Sequence, residues 1–361
     1  TYIARDRVTN LIFPGNQGSE TSSLLIANTS SAFRYRHDFG SKYSLGLQAT
    51  DREGDDYFNR LVGFDGDFRF TKRDRLQVQI LGSSTRYPDE VAVEFNQKKG
   101  AFTGMVADLN FSHNTRTLDF WTRLQNFDQG FRADLGFMPR VDCRRYRVGS
   151  SYTWNAKPGS WYSMLELAGE VDVRTDLDGK VINGGGYVWG SFYGPMQSSL
   201  MLIFGKSRQL YNGVEFDKLS LSIYSGIQLS KNHVLSFNAI IDDHVDYENT
   251  RPATRIFLNP DIGSNLGRHL KLNFNYVFEE LTINEGRLYT AHIGNAIIVY
   301  QFNRRTFLRG ILQYVDYNYN ADLYTFEIEP RYKHLFTQLL FSYKINPRTV
   351  LFLGYSDNYE G

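Results

Sequence analysis

The sequence predicts an all-β fold, a transmembrane up-and-down antiparallel β-barrel of roughly 19–20 strands, incomplete at both ends. Three observations carry this. Apolar and polar residues alternate with a period of two from one end of the chain to the other. No uninterrupted apolar run approaches the ~20 residues that a membrane-crossing helix needs. Many alternating segments run to about ten residues or more, longer than the five or six usual in soluble sheets, and Tyr and Phe crowd their ends.

Along the chain, Leu76, Val78 and Ile80 stand against Gln77 and Gln79, and Leu118, Phe120 and Leu124 against Asp119, Trp121 and Arg123. Leu165, Leu167, Val171 and Val173 alternate with Glu166, Glu170, Asp172 and Arg174, so one side of that strand carries four charges and must be wet. Leu219, Leu221, Ile223, Ile227 and Leu229 oppose Ser220, Ser222, Tyr224, Gln228 and Ser230. Leu270, Leu272, Phe274 and Tyr276 oppose Lys271, Asn273 and Asn275. A helical period would scramble every one of these rows.

Two kinds of connection join the segments. Tight ones are Lys72-Arg73-Asp74, Asn114-Thr115-Arg116, Lys231-Asn232-His233, Asn303-Arg304-Arg305 and Asn346-Pro347-Arg348, rich in turn formers. Longer polar ones run from Val8 to Thr29, Pro88 to Lys99, Asn126 to Asp142, Glu248 to Thr254 and Ala321 to Lys333. The two kinds tend to alternate, as if one end of the sheet were trimmed and the other elaborated. No helix and no dividing linker stand out, so residues 1–361 read as a single outer-membrane barrel domain.

Aromatic residues gather at segment ends: Tyr187, Trp189, Phe192 and Tyr193, then Tyr314, Tyr317 and Tyr319, then Tyr355 and Tyr359. An apolar ring with a hydrogen-bonding tip suits the headgroup boundary, so these are expected to form aromatic girdles. Lipid offers no partner to backbone amides, so a sheet immersed in it must close on itself. A barrel of about nineteen strands is too wide for side chains alone to fill, and its lumen would hold water, a plug or a partner. A soluble β-sandwich or propeller shares the alternation and stays open as an alternative.

Composition narrows the function. Forty Lys and Arg against 39 Asp and Glu leave a net charge of +1, without the basic footprint of a nucleic-acid-binding protein. The single cysteine, Cys143, permits no intrachain disulfide and no four-ligand zinc site. No cofactor is expected. The start, Thr1-Tyr2-Ile3-Ala4-Arg5-Asp6, lacks the features of an export signal, so the chain reads as a mature product or a fragment.

Several stretches go beyond generic pattern. Ser44-Leu45-Gly46-Leu47-Gln48-Ala49-Thr50-Asp51-Arg52-Glu53-Gly54, followed by Asn59-Arg60-Leu61-Val62-Gly63-Phe64-Asp65-Gly66, resembles a bacterial outer-membrane family of unassigned function. Full-length members carry a family 9-type carbohydrate-binding module ahead of a large barrel. Arg132-Ala133-Asp134-Leu135-Gly136-Phe137-Met138-Pro139-Arg140-Val141-Asp142 is similar to a second signature of that family. Tyr300-Gln301-Phe302-Asn303-Arg304-Arg305 and Phe341-Ser342-Tyr343-Lys344-Ile345-Asn346-Pro347 are similar to others. No such module precedes Thr1 and no terminal aromatic strand follows Gly361, so the resemblance implies the barrel part only. Strict alternation from Thr1 would leave Gly361 on the elaborated rim, and an even strand count would need about twenty strands.

Candidate chemistry is sparse. Asp242, His244 and Asp246 share a face by the period-two rule and are the weak metal candidates, although a solvated strand near a loop explains them and no metal site is expected. Asp51, Glu53, Asp55 and Asp56 lack the spacing of a calcium loop and are expected to pair with Arg52 and Arg60, pinning the loop. Gly184-Gly185-Gly186 reads as a strand kink, since no phosphate-binding signature follows. No Gly-x-Ser-x-Gly elbow occurs and no catalytic residue is assigned.

What remains is a row of polar residues expected to line the lumen: Arg34, Arg36, Asp119, Arg123, Glu166, Glu170, Asp172, Arg174 and Lys271. Opposite it, Leu219, Leu221, Ile223, Leu270, Leu272 and Phe274 are expected to face lipid. The expected role is a porin-like channel, a transporter or a scaffold in the outer membrane of a Gram-negative bacterium, enclosing a solute, a polymer or a partner subunit and doing no chemistry of its own. Its expected partners are outer-membrane lipid and a plug or subunit in the lumen, with carbohydrate entering only through the resemblance, and no nucleic acid. The alternatives are a barrel-borne hydrolase, the sheath of an electron-transfer complex, although the chain lacks a Cys-x-x-Cys-His motif, and the soluble β-protein.

Overall fold

A computed structural model describes residues 2–346 and 349–360. Pro347 and Arg348 of one expected turn, and Thr1 and Gly361 at the expected ends, lie outside the described residues. The chain opens with β1 (Tyr2–Asp6), β2 (Thr9–Pro14), β3 (Ser19–Leu24), β4 (Asn28–Phe39), β5 (Tyr43–Gly54), β6 (Tyr57–Arg69) and β7 (Asp74–Arg86). A short helix α1 (Asp89–Glu94) precedes β8 (Ala101–Asn114), β9 (Leu118–Phe127), β10 (Cys143–Asn155), β11 (Met164–Thr175) and β12 (Val181–Tyr193). Then come β13 (Ser199–Tyr211), β14 (Val214–Ser230), β15 (His233–Asp246), β16 (Arg251–Leu266) and β17 (Leu270–Ile283). The last are β18 (Gly286–Asn303), β19 (Thr306–Tyr319), β20 (Arg331–Asn346) and β21 (Thr349–Glu360).

Nineteen strands form one antiparallel up-and-down sheet in which β4 to β9 and β10 to β21 follow one another in chain order. β9 pairs with β10, β1 pairs with β4, and β2 and β3 pair only with each other. From β4 onward strands run from 10 residues in β9 to 18 in β18, long enough for the membrane thickness that the alternation predicts. The expected tight turns after β8, β14 and β18 are present. The Asn212-Gly213 turn between β13 and β14 has both residues at positive φ, 47° and 81°, the geometry that matches the twist of a two-residue hairpin.

Three of the long connections differ from expectation. The link after β7 contains α1, whose start follows Pro88 and carries Asp89 and Glu90 where the helix dipole favours acid. The segment Val8 to Thr29 is a β-hairpin rather than a polar loop, because Leu11 and Phe13 alternate along β2 and are buried. The connection from Glu248 is also shorter than expected, since β16 already begins at Arg251.

The chain divides into two compact units. The first comprises Thr1–Tyr152, Ala168–Gly186 and Ser207–Glu215. In it the β2–β3 hairpin, α1 and the loop between β9 and β10 fold onto one face of the sheet. Leu11 and Phe13 pack with Tyr57, Tyr87, Val91, Ala92 and Phe102, and Phe131 and Val141 pack with Leu61, Leu81 and Val106. Phe13 stacks on Phe95 at 4.2 Å. Gly104 allows the close approach of that loop, since a Cβ there would stand 2.1 Å from the Phe131 nitrogen. This is the inner face of the first unit. On the opposite face Val62 and Phe64 are 53% and 62% exposed.

The second unit comprises Thr153–Leu167, Tyr187–Lys206 and Phe216–Gly361. Ala253, Leu281, Ile283 and Leu288 form its buried cluster, covered by Leu323 and Tyr324 from the β19–β20 loop. Alternation then assigns Arg255, Phe257 and Glu279 to the face of that cluster, the inner face of the second unit, through the β16–β17 register.

Candidate functional site

The inner face of the first unit has two zones, an infolded lobe and a ladder of ion pairs. The lobe is fixed by strand residues that reach the β9–β10 loop. Arg52 donates through Nε to Asn28 Oδ1 at 3.2 Å, and through Nη1 to the carbonyls of Asn10 at 3.0 Å and Asp134 at 3.3 Å. Asn59 donates to the Arg132 carbonyl at 3.2 Å and accepts from the Asp134 amide at 3.0 Å. The Tyr57 and Tyr87 hydroxyls donate to the Asp134 carboxylate at 2.8 and 3.2 Å. One guanidinium and one amide thus satisfy backbone groups that an infolded loop would otherwise bury unpaired.

Burial pushes the Asp134 carboxyl up to about 6, against the opposing pull of the two phenols and of Arg132 and Arg52. Burial also lowers the Arg132 guanidinium below its ordinary value. A recess of about 380 Å³ beside this network is lined by Asn10, Leu11, Thr21, Arg132, Asp134 and Met138. The network clamps the lobe to the strands through Asp134 and its backbone.

The ladder runs over neighbouring strands. Arg34 pairs with Asp65, Arg75 with Asp67, Arg123 with Asp108, Arg145 with Asp172 and Arg147 with Glu170, and several of these pairs use both guanidinium arms. The Trp121 indole donates to Glu170 at 2.7 Å. Between the pairs lies a recess of about 420 Å³ that includes Gln77, Gln79 and Asn110. Such a surface is hydrophilic, rigid and nearly neutral.

Of the polar row expected from the sequence, Arg34, Arg123, Glu170 and Asp172 meet in this ladder. Arg36 instead pairs with Asp38 at 2.9 Å, and Asp119 accepts from the Thr115 amide at 2.9 Å near a turn. Arg174 keeps its Nε buried without a hydrogen bond. In the second unit Glu166 accepts from the Trp189 indole at 3.2 Å, and Lys271 is exposed opposite Asn265 and Val299. The sequence reading missed the partners Asp65, Asp67, Asp108, Arg145 and Arg147; Asp108, Arg145 and Arg147 lie in register with Arg123 or its neighbours on that face, whereas Asp65 and Asp67 are reached only across β5. Leu219, Leu221 and Phe274 are 48%, 41% and 46% exposed, and Ile223, Leu270 and Leu272 are half-buried. All six stand on the face opposite Asp242, Arg255 and Glu279.

Asp242, His244 and Asp246 do share the inner face, but Arg255 takes Asp242 at 2.9 Å and Arg251 takes Asp246 at 2.7 Å. His244 Nδ1 stands 3.6 Å from Asp242. Among the described residues no group of three or more His, Cys, Asp or Glu side chains is arranged to hold a metal. The acidic cluster behaves as expected for Arg60, which pairs with Asp51 at 3.2 Å and Glu53 at 3.5 Å. Arg52 departs from the expectation, because adjacent strand residues point to opposite faces and its own face is the lobe's. Gly184-Gly185-Gly186 lie within β12.

The girdle expectation also needs correction. Tyr314 lies on the outer face beside exposed Leu312, whereas Tyr317 and Tyr319, at odd positions, lie on the inner face with Ala291 and Tyr289 opposite them. Trp189 likewise turns inward to Glu166. As for hydrolase chemistry, His233 Nδ1 meets Ser264 Oγ at 3.1 Å, but no carboxylate bonds that histidine among the described residues.

No protein-family model and no curated protein matches the chain. Solved structures do. A double mutant of the ferric enterobactin receptor PfeA from Pseudomonas aeruginosa superposes with a TM-score of 0.50 and 9% identity over 98% of this chain and 74% of its own. The siderophore receptor PirA from Acinetobacter baumannii gives a TM-score of 0.48 and 8% identity over 97% and 72%. The ferric-catecholate import receptor Fiu from E. coli gives 0.47 and 9% over 98% and 65%. The likeness to the first of these is one of fold, and the fold is a large up-and-down antiparallel β-barrel.

Proposed function

We propose that the chain is a transporter or channel of the outer membrane of a Gram-negative bacterium. In this reading residues 1–361 form one barrel domain, with Leu219, Leu221, Ile223, Leu270, Leu272 and Phe274 in lipid. Arg34, Arg36, Asp119, Arg123, Glu166, Glu170, Asp172, Arg174 and Lys271 line the lumen. The observation that carries the reading is the segregation itself, exposed apolar rows on one face and Arg–carboxylate pairs on the other. At the exposures of Leu219 and Phe274, each such side chain favours hydrocarbon over water by about 1 kcal/mol, so a water-bathed outer face would be a large apolar patch.

The infolded lobe narrows the passage from its long-loop end, and the neutral ladder below it passes a polar solute without strong charge preference. The likeness to the ferric enterobactin receptor supports the reading by fold alone, and carbohydrate as cargo rests on the sequence resemblance. Planar-bilayer conductance tests the reading. The folded chain is expected to conduct little, and an Arg52→Ala, Asp134→Ala double variant to conduct freely. Silence from both, with strand content intact, would count against a channel or transporter.

A further inference from the structure

The inner face of the second unit carries an aromatic surface that neither the girdle expectation nor the ladder explains. Tyr317 and Tyr319 lie parallel at 5.6 Å, and Tyr289 tilts against both at 6.2 and 6.0 Å. Tyr324 meets Tyr319 edge-on at 5.9 Å, and Phe326 meets Tyr324 edge-on at 5.4 Å. Perpendicular rings make a corner rather than a flat platform. The loop that brings Tyr324 and Phe326 is tied down, since Arg251 donates to the Leu323 carbonyl and Thr325 donates to Asn249 at 2.6 Å.

The electrostatics of the corner are one-sided. The Tyr289 hydroxyl donates to Glu279, whose register neighbour Ala291 sits opposite Tyr317. Glu279, Glu248, Asp322, Glu327 and Glu329 make no ion pair among the described residues. The nearby cations are occupied: Arg251 by Asp246 and Arg287 by Glu280. The cation–π contacts seen among the described residues are elsewhere, Arg60 on Phe58 and Arg132 on Phe102. Burial foremost, then Tyr319 and the carboxylates of Asp246 and Glu248, push the Tyr324 hydroxyl up to about 12 against the opposing pull of Arg251.

Ring faces carry negative quadrupole and attract an organic cation, the more so beside an uncompensated carboxylate. We propose that Tyr289, Tyr317, Tyr319, Tyr324 and Phe326, with Glu279, form a binding site for an organic ammonium cation. Charge complementarity selects this ligand: an anionic chelate would face the unpaired Glu279 while Arg251 is taken up by Asp246 and the Leu323 carbonyl, and a neutral ring would leave Glu279 without its counter-charge. The site rests on the transport reading only in supplying that reading with a class of cargo.

Calorimetric titration of the detergent-solubilised full chain with choline, and with its uncharged tert-butyl analogue, tests the site without requiring a bilayer or transport. Choline is expected to bind saturably and the analogue at least about tenfold more weakly. Tyr319→Ala, Tyr324→Ala and Glu279→Gln should each lower choline affinity roughly tenfold, whereas Tyr319→Phe, which keeps the ring, should leave it unchanged. Absence of saturable choline binding to the folded chain, equal binding of the analogue, or a loss in Tyr319→Phe as large as in Tyr319→Ala would each overturn the proposal. The last outcome would point to recognition through the hydroxyl, as for a sugar. None of these failures would touch the lipid orientation of the outer face, which is measured separately.

Discussion

The Tyr57 hydroxyl donates to Asp134 at 2.8 Å across 77 positions of chain, joining the first residue of β6 to the loop between β9 and β10. Tyr57 is buried and Asp134 half-buried, and Tyr87, stacked parallel to Tyr57 at 6.0 Å, reaches the same carboxylate at 3.2 Å. The lobe is therefore seated by a polar contact whose removal leaves two phenols without an acceptor.

Replacing Asp134 by Ala should unseat the loop while leaving the sheet intact. Each orphaned buried hydroxyl costs about 1–3 kcal/mol, so amide protection over residues 128–142 should fall about tenfold or more. Strand amides in β6 and β7 should keep theirs. Unchanged protection in the loop would show that packing of Phe131 and Val141 holds it without help.

The same carboxyl makes the seat pH-dependent. Its folded value of about 6 lies above its ordinary 3.8, so between these values the seated lobe binds more protons than the released one. Seating is strongest below about pH 4, weakens as pH rises through about 6, and changes little beyond, for a total of about 3 kcal/mol. Protection factors corrected for intrinsic exchange should follow that course in the native chain and lose it in Asp134→Asn. Parallel profiles for the two proteins would contradict the assignment.

In the ladder, Asp108→Asn leaves the Arg123 guanidinium without its carboxylate and adds one positive charge to the inner wall. In the Arg52→Ala, Asp134→Ala background, reversal potentials across a salt gradient should move toward anion preference. Arg123→Gln should move them the other way. Identical reversal potentials in all three would place this pair away from the conducting path.

The two sheet faces should respond differently to charge. Leu221→Arg puts a guanidinium on the proposed lipid face, at a cost of about 2–4 kcal/mol near the bilayer midplane, whereas Ser222→Arg next to it should cost far less. Urea titration of folding into vesicles reads the difference. Equal destabilisation would argue against lipid on the Leu221 face.

The period of two was legible because it is local: Leu270, Leu272 and Phe274 declare a face without reference to any other strand. The same rule, carried through residue by residue, separates Tyr314 from Tyr317 and Tyr319 and turns Arg52 away from Asp51 and Glu53. Clustering by composition concealed both. The partners of the ladder were harder, since Asp65 and Arg34 are brought together by pairing across β5, and register is not written in either segment. The infolding of Asp134 was beyond local reading altogether. Its loop is polar enough to pass for a rim, and only Tyr57, Asn59 and Arg52 on distant strands give its buried groups partners.

Spin labels placed singly at Leu221, Ser222, Lys271 and Phe274 in reconstituted protein, probed with oxygen and with a water-soluble nickel complex, test the orientation of the sheet most directly. Labels at 221 and 274 should collide with oxygen and avoid nickel, and labels at 222 and 271 should do the opposite. Nickel access at 221 and 274 with oxygen-rich surroundings at 271 would contradict a barrel with lipid outside and water within.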